Sequence, residues 1–170
     1  MKRLLKWNAG KQELRVIGID PVEDMVEFAK TQLEDDPRAL VLCENALLSE
    51  LDKADVIICY YSLQFMPPRV RQDMVNKIYN ALNWGGGFFL FEKVRAPDAR
   101  FQDYATQIYN DFKIDSGLDG NEIINKSKSL KGVLEPFSTQ GNLDLLARAG
   151  FVDVASIMKY VCFEGFLAIK

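Results

Sequence analysis

Two polar side chains stand where predicted strands end, and their types suit recognition of a nucleoside. The run LRVIGID ends on Asp20, and the run ALVLCENA closes on Glu44 and Asn45. A carboxylate at the carboxyl end of a parallel strand can accept two hydrogen bonds from a ribose diol. A side-chain amide at the end of the next strand can bond to the edge of a purine. We therefore interpret Asp20 and Asn45 as candidate contacts to one nucleoside at the mouth of a sheet.

Each of these residues also has a purely structural interpretation. Asp20 precedes Pro21, whose fixed φ suits a first helical turn, so Asp20 could simply be the N-cap or first-turn acid of a helix. Asn45 could be a turn residue, which is the more common role of an asparagine after a strand. The residue types alone leave these alternatives open.

The composition excludes several other kinds of chemistry. The chain has no histidine, which removes His-based triads, His metal sites and imidazole acid–base catalysis. Its three cysteines lie far apart in apolar runs, so we expect Cys43, Cys59 and Cys162 to be buried, reduced thiols. The net charge is −3 and no basic tract is present, so we do not expect direct binding of nucleic acid.

The length and the apolar runs predict one cytoplasmic domain. A chain of 170 residues with 48% hydrophobic content can form a sizeable core, and we assign residues 1–170 to a single domain. No apolar run approaches the roughly 18 residues that would span a bilayer. The N-terminal segment MKRLLKWNAGKQE is short and charged, without the apolar core and cleavage site of a signal peptide. We expect no membrane contact.

The elements that position the candidate residues centre on the stretch 54–93. Its first run, DVIICYY, is continuously apolar and predicts a strand covered on both faces. Pro67 and Pro68 open a helix, in which Arg71 and other polar residues lie between apolar positions at helical spacing. Residues 83–87 break that helix, and FFLF predicts a second buried strand. The resulting parallel βαβ unit puts the loop after Tyr60 at the edge where ligands of such sheets bind.

The flanking segments extend the same alternation. Upstream, we predict a helix opened by Pro21 and ending within 31–37, with its inner face marked by Val22, Met25, Val26, Ala29 and Leu33. Downstream, two helices within about 98–135 are interpreted as a lid over the open edge of the sheet. A further helix over 139–148 stops at Gly150, and the C-terminus forms an antiparallel pair of strands. The prediction is an α/β fold with a mostly parallel sheet.

The order and wording of these motifs resemble a known family. The strand VIGID, the strand and loop DVIICYYSLQFMPP, the unit ALNWGGGFFLFEK, the helix with YNDFK and the closing FLAIK are similar to class I S-adenosylmethionine-dependent methyltransferases. SLQFMPP, LFEKVRAPDARF, IYNDFK and GFLAIK most resemble the carboxy-S-adenosylmethionine synthases and their methyltransferase-like relatives. The resemblance implies a Rossmann-like sheet with a helical lid after its fifth strand. It also implies synthesis of carboxy-S-adenosylmethionine from S-adenosylmethionine and prephenate, for a tRNA wobble-uridine modification.

Five positions match the cofactor-binding positions of the family. Asp20, with Pro21 beside it, matches the acid that binds the ribose hydroxyls. Asn45 and Ala46 fall where the family has an aspartate followed by an apolar residue, in contact with adenine. Tyr60 falls where the family has an asparagine next to the methionine part of the cofactor. The resemblance therefore implies that S-adenosylmethionine or its carboxy derivative binds here, and it identifies no catalytic residue.

Two departures from the family pattern stand out. Ser127 falls near an arginine that pairs with the added carboxylate, and a serine lacks the charged bidentate fork, although Lys126 or Lys128 could act as point charges. The Gly-rich turn and first strand of the family would lie upstream of residue 1, so the sequence looks truncated. Without that strand, the VIGID and DVIICYY strands must pair directly, borrow a strand from another chain or stay unpaired, and we expect a homodimer.

Three functions compete on this sequence. The first is an S-adenosylmethionine-binding transferase acting on a small-molecule substrate, of the synthase or methyltransferase type. The second is a non-catalytic subunit or regulator that has lost cofactor binding, which the missing Gly-rich turn, Asn45, Tyr60 and Ser127 favour. The third, a nicotinamide-dependent enzyme, would also need a Gly-rich turn before the acidic strand and fits the C-terminal hairpin poorly. The similarity extends through the lid, which favours the first.

Overall fold

Helices and strands alternate along the chain in the computed structural model, which describes residues 1–33 and 36–170. The chain divides into two compact units, residues 1–50 and residues 51–170, and each has its own sheet. The alternation follows the predicted pattern of apolar runs and helix-start signals, so the α/β class is confirmed.

The first unit is a βαβ unit preceded by a short helix. Its strands pair in parallel, from Val16 opposite Ala39 to Asp20 opposite Cys43. The predicted inner face of the helix between them is only partly right, because Val26 is buried whereas Met25 is exposed. The predicted end of this helix falls partly on residues 34 and 35, which lie outside the described residues. The elements are α1 (Lys2–Trp7), β1 (Val16–Asp20), α2 (Glu23–Leu33) and β2 (Ala39–Cys43).

The second unit is a four-stranded sheet with helices inserted along the chain. The strand order is β3-β4-β6-β5; β3 and β4 are parallel, and β6 is antiparallel to both of its neighbours. The predicted parallel βαβ unit and the C-terminal antiparallel pair are therefore confirmed. The elements are β3 (Ala54–Tyr60), α3 (Pro68–Ala81), β4 (Leu82–Lys93), α4 (Ala99–Asp115), α5 (Gly120–Ser129), α6 (Thr139–Ala149), β5 (Asp153–Tyr160) and β6 (Phe163–Ile169).

The core of the second unit lies on one face of its sheet. Alternate residues of β4 and β6 point to this face, and α3 packs against β4 and α6. The ring of Phe88 stacks on that of Phe151 with 5.9 Å between centroids. The fully buried apolar side chains include Val75, Ile78, Leu82, Phe88, Leu90, Leu146 and Phe166.

β3 was predicted to be covered on both faces, and that prediction is wrong. Cys59 is buried on the face of the core, whereas Val56, Ile58 and Tyr60 are 53%, 52% and 68% exposed. Successive side chains of a strand point to opposite faces, so helix packing on one face buries only every second residue. The continuous apolar run shows the composition of the strand and not how many of its faces are covered.

The segment 83–87 was predicted to break the helix before the second strand, but β4 already begins at Leu82 and runs through the glycines. A Cβ on Gly86 would lie 2.9 Å from the carbonyl oxygen of Asn83 and 3.0 Å from that of Asp55. The glycine therefore lets β4 approach the first residues of β3 closely. The sequence did not predict a strand over these glycines, because glycine is depleted in strands generally.

Among the described strands, β1 pairs only with β2, and β3 pairs only with β4. The direct pairing of VIGID with DVIICYY, one of three alternatives, is therefore not found there. Cys59 and Cys162 are buried as predicted, but Cys43 is exposed at the last position of β2. No helix in the described ranges is long and apolar enough to cross a membrane.

Candidate functional site

The ends of β1 and β2 meet at one edge of the first unit. Asp20 and Cys43 are register partners, and the amide of Glu44 donates to the Asp20 carbonyl at 3.1 Å. The Asp20 side chain is half-buried, and its Oδ1 accepts a hydrogen bond from the amide of Val22 at 2.9 Å. The parallel pairing thus puts the predicted acid beside the segment that contains the predicted amide.

Asn45 lies in a tight turn directly after β2. Its Oδ1 accepts from the amide of Leu47 at 3.0 Å, and its carbonyl accepts from the amides of Leu48 and Ser49. The Asn45 side chain is exposed, Ala46 beside it is half-buried, and Pro21 after β1 is exposed. The structure therefore brings four of the five predicted residues to the same end of the β1–β2 pair, and it also shows the local turn role of both polar side chains.

The fifth predicted residue ends β3 in the second unit. Tyr60 is 68% exposed, and its ring lies edge-on to Tyr61 at 4.5 Å and to Phe91 at 5.5 Å between centroids. Tyr61 adopts a left-handed backbone with φ of 55°, and its amide donates to the Phe91 carbonyl at 2.8 Å. The chain therefore turns sharply after β3 and leaves the Tyr60 ring exposed at the carboxyl end of the strand.

A buried polar cluster that was not predicted lies beside this strand end. Glu92 is 2% exposed, and its Oε1 accepts from the amide of Leu63 at 3.1 Å. Burial raises the pKa of Glu92 to about 8, although the Leu63 amide and the charge of Arg71 oppose the rise. The signal was present, since Glu92 continues the inward series of Phe88 and Leu90 at a spacing of two.

Arg71 is the cation of this cluster and is also 2% exposed. Its guanidinium donates to three carbonyls, those of Met66 at 2.9 Å, Gln64 at 3.0 Å and Glu135 at 2.7 Å. It also lies 4.4 Å from the ring centroid of Phe137. Arg71 therefore joins the loop after β3 to the segment before α6.

A second missed cluster lies where β4 ends and β6 begins. The ammonium groups of Lys93 and Lys113 lie 5.1 and 4.2 Å from the ring centroid of Tyr109. Burial raises the pKa of the neighbouring Cys162, while Lys93 and Lys113 oppose the rise. Burial also lowers the pKa of Lys113, and the nearby charge of Lys93 adds to this. Because α4 brings these residues together from distant parts of the chain, their spacing in sequence gave no signal.

The three candidate positions on α5 are open to solvent. Ser127, which falls near the arginine position of the family, is exposed, as are Lys126 and Lys128. Within the described ranges, no group of three or more Cys, Asp or Glu side chains could hold a metal ion.

Known sequences resemble the chain over nearly its full length. A family described as "Methyltransferase domain" matches residues 3–86. The carboxy-S-adenosyl-L-methionine synthase of Staphylococcus epidermidis is 34% identical over 170 residues, covering 100% of this chain and 72% of that protein. The synthase of Trichodesmium erythraeum is 35% identical over 163 residues, covering 94% of this chain and 64% of that protein. The chain thus spans about two thirds of the length of these curated relatives.

Solved methyltransferase structures share the fold. An O-methyltransferase family protein from Burkholderia thailandensis superposes with a TM-score of 0.69 at 13% identity, covering 99% of this chain and 46% of that one. Human N-acetylserotonin methyltransferase, in complex with SAM, gives a TM-score of 0.63 at 17% identity, covering 99% of this chain and 43% of that one. With a Rossmann-like fold and a synthase relative covered to 72%, the chain belongs to the carboxy-S-adenosyl-L-methionine synthase family of class I S-adenosylmethionine-dependent methyltransferases.

Proposed function

We propose that this protein binds S-adenosyl-L-methionine, or its carboxy derivative, and acts as a transferase of the carboxy-S-adenosylmethionine synthase type. The observation that carries the proposal is the meeting of the β1 and β2 ends, where Asp20 and the segment 44–46 share one edge of the sheet. Ligands of open parallel sheets bind at this edge, outside the carboxyl ends of the strands. The similarity to the synthases along the whole chain supports the same assignment.

The residues at this edge suit a nucleoside. Asp20 uses Oδ1 in the turn with Val22, but a carboxylate offers about four lone-pair positions on two oxygens and can still accept from two ribose hydroxyls. Asn45 and the half-buried Ala46 would contact the adenine, with Pro21 bordering the ribose. Bound here, the cofactor supplies a sulfonium that activates an attached methyl group, and the chain positions it against the second substrate.

Tyr60 is proposed to border the methionine part of the cofactor, where its exposed ring and hydroxyl would replace an amide. We also propose that both units form one methyltransferase-like domain over residues 1–170, with a lid of about 98–135. The solved structures that align with 99% of the chain support this domain assignment. The exposed apolar residues of α4, among them Phe101 and Ile108, suit a helix that closes over a ligand.

The cellular role that we propose follows the family. The protein would work in the cytoplasm as a homodimer and would supply a small-molecule product for tRNA modification, without itself binding the nucleic acid. Its net charge of −3 supports the last point.

A non-catalytic subunit or regulator is the second candidate function. The observation that favours it is the local use of both polar side chains, since Asp20 caps the turn to Val22 and Asn45 caps the turn to Leu47. Exposed Ser127 in place of an arginine supports it as well. This candidate predicts the same fold and no affinity for the cofactor.

Calorimetric titration distinguishes the two candidates. S-adenosylmethionine and S-adenosylhomocysteine are titrated into the wild type, Asp20→Asn and, as a matched control, Asp24→Asn. Asparagine at position 20 keeps an acceptor for the Val22 amide but offers the ribose one oxygen, so we expect affinity to fall roughly tenfold or more. Asp24 is exposed in the first turn of α2, and its variant should bind as the wild type does. No binding by the wild type would refute the transferase, and equal affinity in all three proteins would refute the ribose assignment.

A further inference from the structure

Two cations meet around one aromatic ring in the second unit. Lys93 is the last residue of β4, and Lys113 lies in the last turn of α4. Their ammonium groups lie 5.1 and 4.2 Å from the ring centroid of Tyr109, and both side chains are half-buried. Two ammonium groups around one ring in a partly desolvated place repel each other, and the charge of Lys93 indeed adds to burial in lowering the pKa of Lys113, so an anion that joins them would offset a cost in free energy.

No acidic side chain in the described part of the chain forms an ion pair with either lysine. Lys113 donates to the neutral amide oxygen of Asn110 at 3.0 Å. The two titratable neighbours are neutral at physiological pH, because burial raises the pKa of Tyr109 and of Cys162. Their protonated forms do not neutralise the lysines. The cluster is therefore positively charged.

The cluster is connected to Tyr60 through aromatic rings in contact. The ring of Tyr60 lies 4.5 Å from that of Tyr61, and Tyr61 lies 5.5 Å from Phe163. Phe163 in turn lies 5.2 Å from Tyr109. The cations thus lie at the same end of the sheet as the carboxyl end of β3, the end proposed to face the reacting part of the cofactor.

We propose that Lys93 and Lys113 form a binding site for a carboxylate, carried by the second substrate or by the carboxymethyl group of the cofactor. The proposal rests on the proposed function, because the second substrate that the resemblance to the synthases implies, prephenate, is an organic acid. A carboxylate bound at this cluster would make charge-assisted hydrogen bonds to the ammonium groups and offset their repulsion. The alternative cations, Lys126 and Lys128, are exposed on α5 and lose more to solvent screening.

The test compares three ligands by calorimetry. Phenylpyruvate carries a carboxylate without a nucleoside, carboxy-S-adenosylmethionine carries both, and S-adenosylmethionine lacks the added carboxylate. Each is titrated into the wild type, Lys93→Met, Lys113→Met and Lys113→Arg, with Lys128→Met as the matched control. Methionine keeps the length of the side chain and removes its charge, and thermal unfolding verifies that each variant is folded.

We expect Lys93→Met and Lys113→Met each to lower the affinity for a carboxylate ligand roughly tenfold or more. The affinity of Lys113→Arg should stay within a few-fold of the wild type. Phenylpyruvate stands in for an organic-acid substrate, so a loss of affinity for it in these variants identifies the second substrate as the source of the carboxylate. A loss confined to carboxy-S-adenosylmethionine identifies the cofactor. Affinity for S-adenosylmethionine should not change.

Three results would overturn the site. They are unchanged carboxylate affinity in both methionine variants, an equal loss in Lys128→Met, and a wild type that neither binds phenylpyruvate nor prefers the carboxylated cofactor. Failure of both S-adenosylmethionine and its carboxy derivative to bind would refute the proposed function, while the phenylpyruvate titrations would still decide the carboxylate site.

Discussion

Arg71 illustrates how a single residue can join segments that are distant in sequence. Arg71 is a charged residue that lies between the apolar positions of α3, as a solvent-facing residue would. It is nevertheless only 2% exposed. Its planar guanidinium satisfies the carbonyls of Gln64, Met66 and Glu135 at once and stacks near Phe137. Arginine can do this because its five donors have a fixed geometry, which lysine does not reproduce.

We therefore expect Arg71→Lys to lower the free energy of unfolding by about 2 to 4 kcal/mol, because it leaves buried carbonyls without donors. Arg69→Lys, on the exposed side of the same helix, should change it by less than about 0.5 kcal/mol. Urea denaturation followed by far-UV circular dichroism measures both. Equal stability of the two variants would mean that the three hydrogen bonds contribute nothing net.

For single residues, the sequence predicted where a side chain lies along a strand better than whether that side chain is buried. The placement of Asp20 and Asn45 at one edge was predictable because the ends of parallel strands share an edge, which depends only on recognising the strands. The burial of Arg71 and Glu92 could not be predicted from residue type, since charged residues are rarely buried. The cluster around Tyr109 depends on how α4 packs, and periodicity within a helix says nothing about its partner.

At the scale of elements, hydrophobic periodicity and helix-start signals predicted the helices and strands in their correct order. Pro68 opens α3 and Gly150 ends α6, as expected. The errors came where tertiary packing overrides composition, in the one-sided burial of β3 and in the glycines of β4. Asp119 and Glu122 form a reciprocal capping box that begins α5, which again is a local signal.

Gly150 gives a prediction for an element boundary. It has a φ of 109°, and a Cβ there would lie 3.0 Å from Cζ of Tyr79, so Gly150→Ala adds both backbone strain and a steric clash. We expect a loss of about 2 to 4 kcal/mol in the free energy of unfolding. Gly132→Ala, with a φ of 73° and open space, should lose only about 1 kcal/mol.

Gly120→Ala completes the series, because that position has open space and no positive φ. It should leave stability unchanged or raise it by a few tenths of a kcal/mol. Thermal unfolding of the three variants checks the order. A Gly150→Ala variant as stable as Gly132→Ala would show that the ring of Tyr79 moves aside without cost.

At the scale of the whole molecule, the α/β class was predictable and the division into two sheets was not. Strand pairing joins elements within each unit, and local sequence does not specify which strands become neighbours. Two buried glutamates also occupy paired positions of β4 and β6, where Glu92 is the register partner of Glu164. Glu164 is paired with Thr139, Ser156 and Lys159, whereas Glu92 makes its bonds to backbone amides.

The buried Glu92 carboxyl predicts how the stability of the molecule depends on pH. The pKa of Glu92 rises in the folded state from 4.5 to about 8, so between these values the folded protein binds more protons than the unfolded chain. Stability therefore falls as the pH rises through this range and levels off above it. In Glu92→Gln the side chain is neutral at every pH, so the fall should largely disappear, and the variant should exceed the wild type at pH 8.5 by on the order of 2 to 4 kcal/mol.

The measurement is urea denaturation at several pH values between 5 and 8.5. Far-UV circular dichroism is the suitable signal, because Trp7 and Trp84 are 81% and 88% exposed and report burial poorly. Asp36 does not interfere, since its pKa is lowered to about 2, mainly by the Arg38 side chain, and its contribution is lost only in more acidic solution. Asp103→Asn, an exposed control, should keep the slope of the wild type. If Glu92→Gln keeps it too, Glu92 is ionised in the folded protein, and the Leu63 amide together with the charge of Arg71 outweighs the cost of burial.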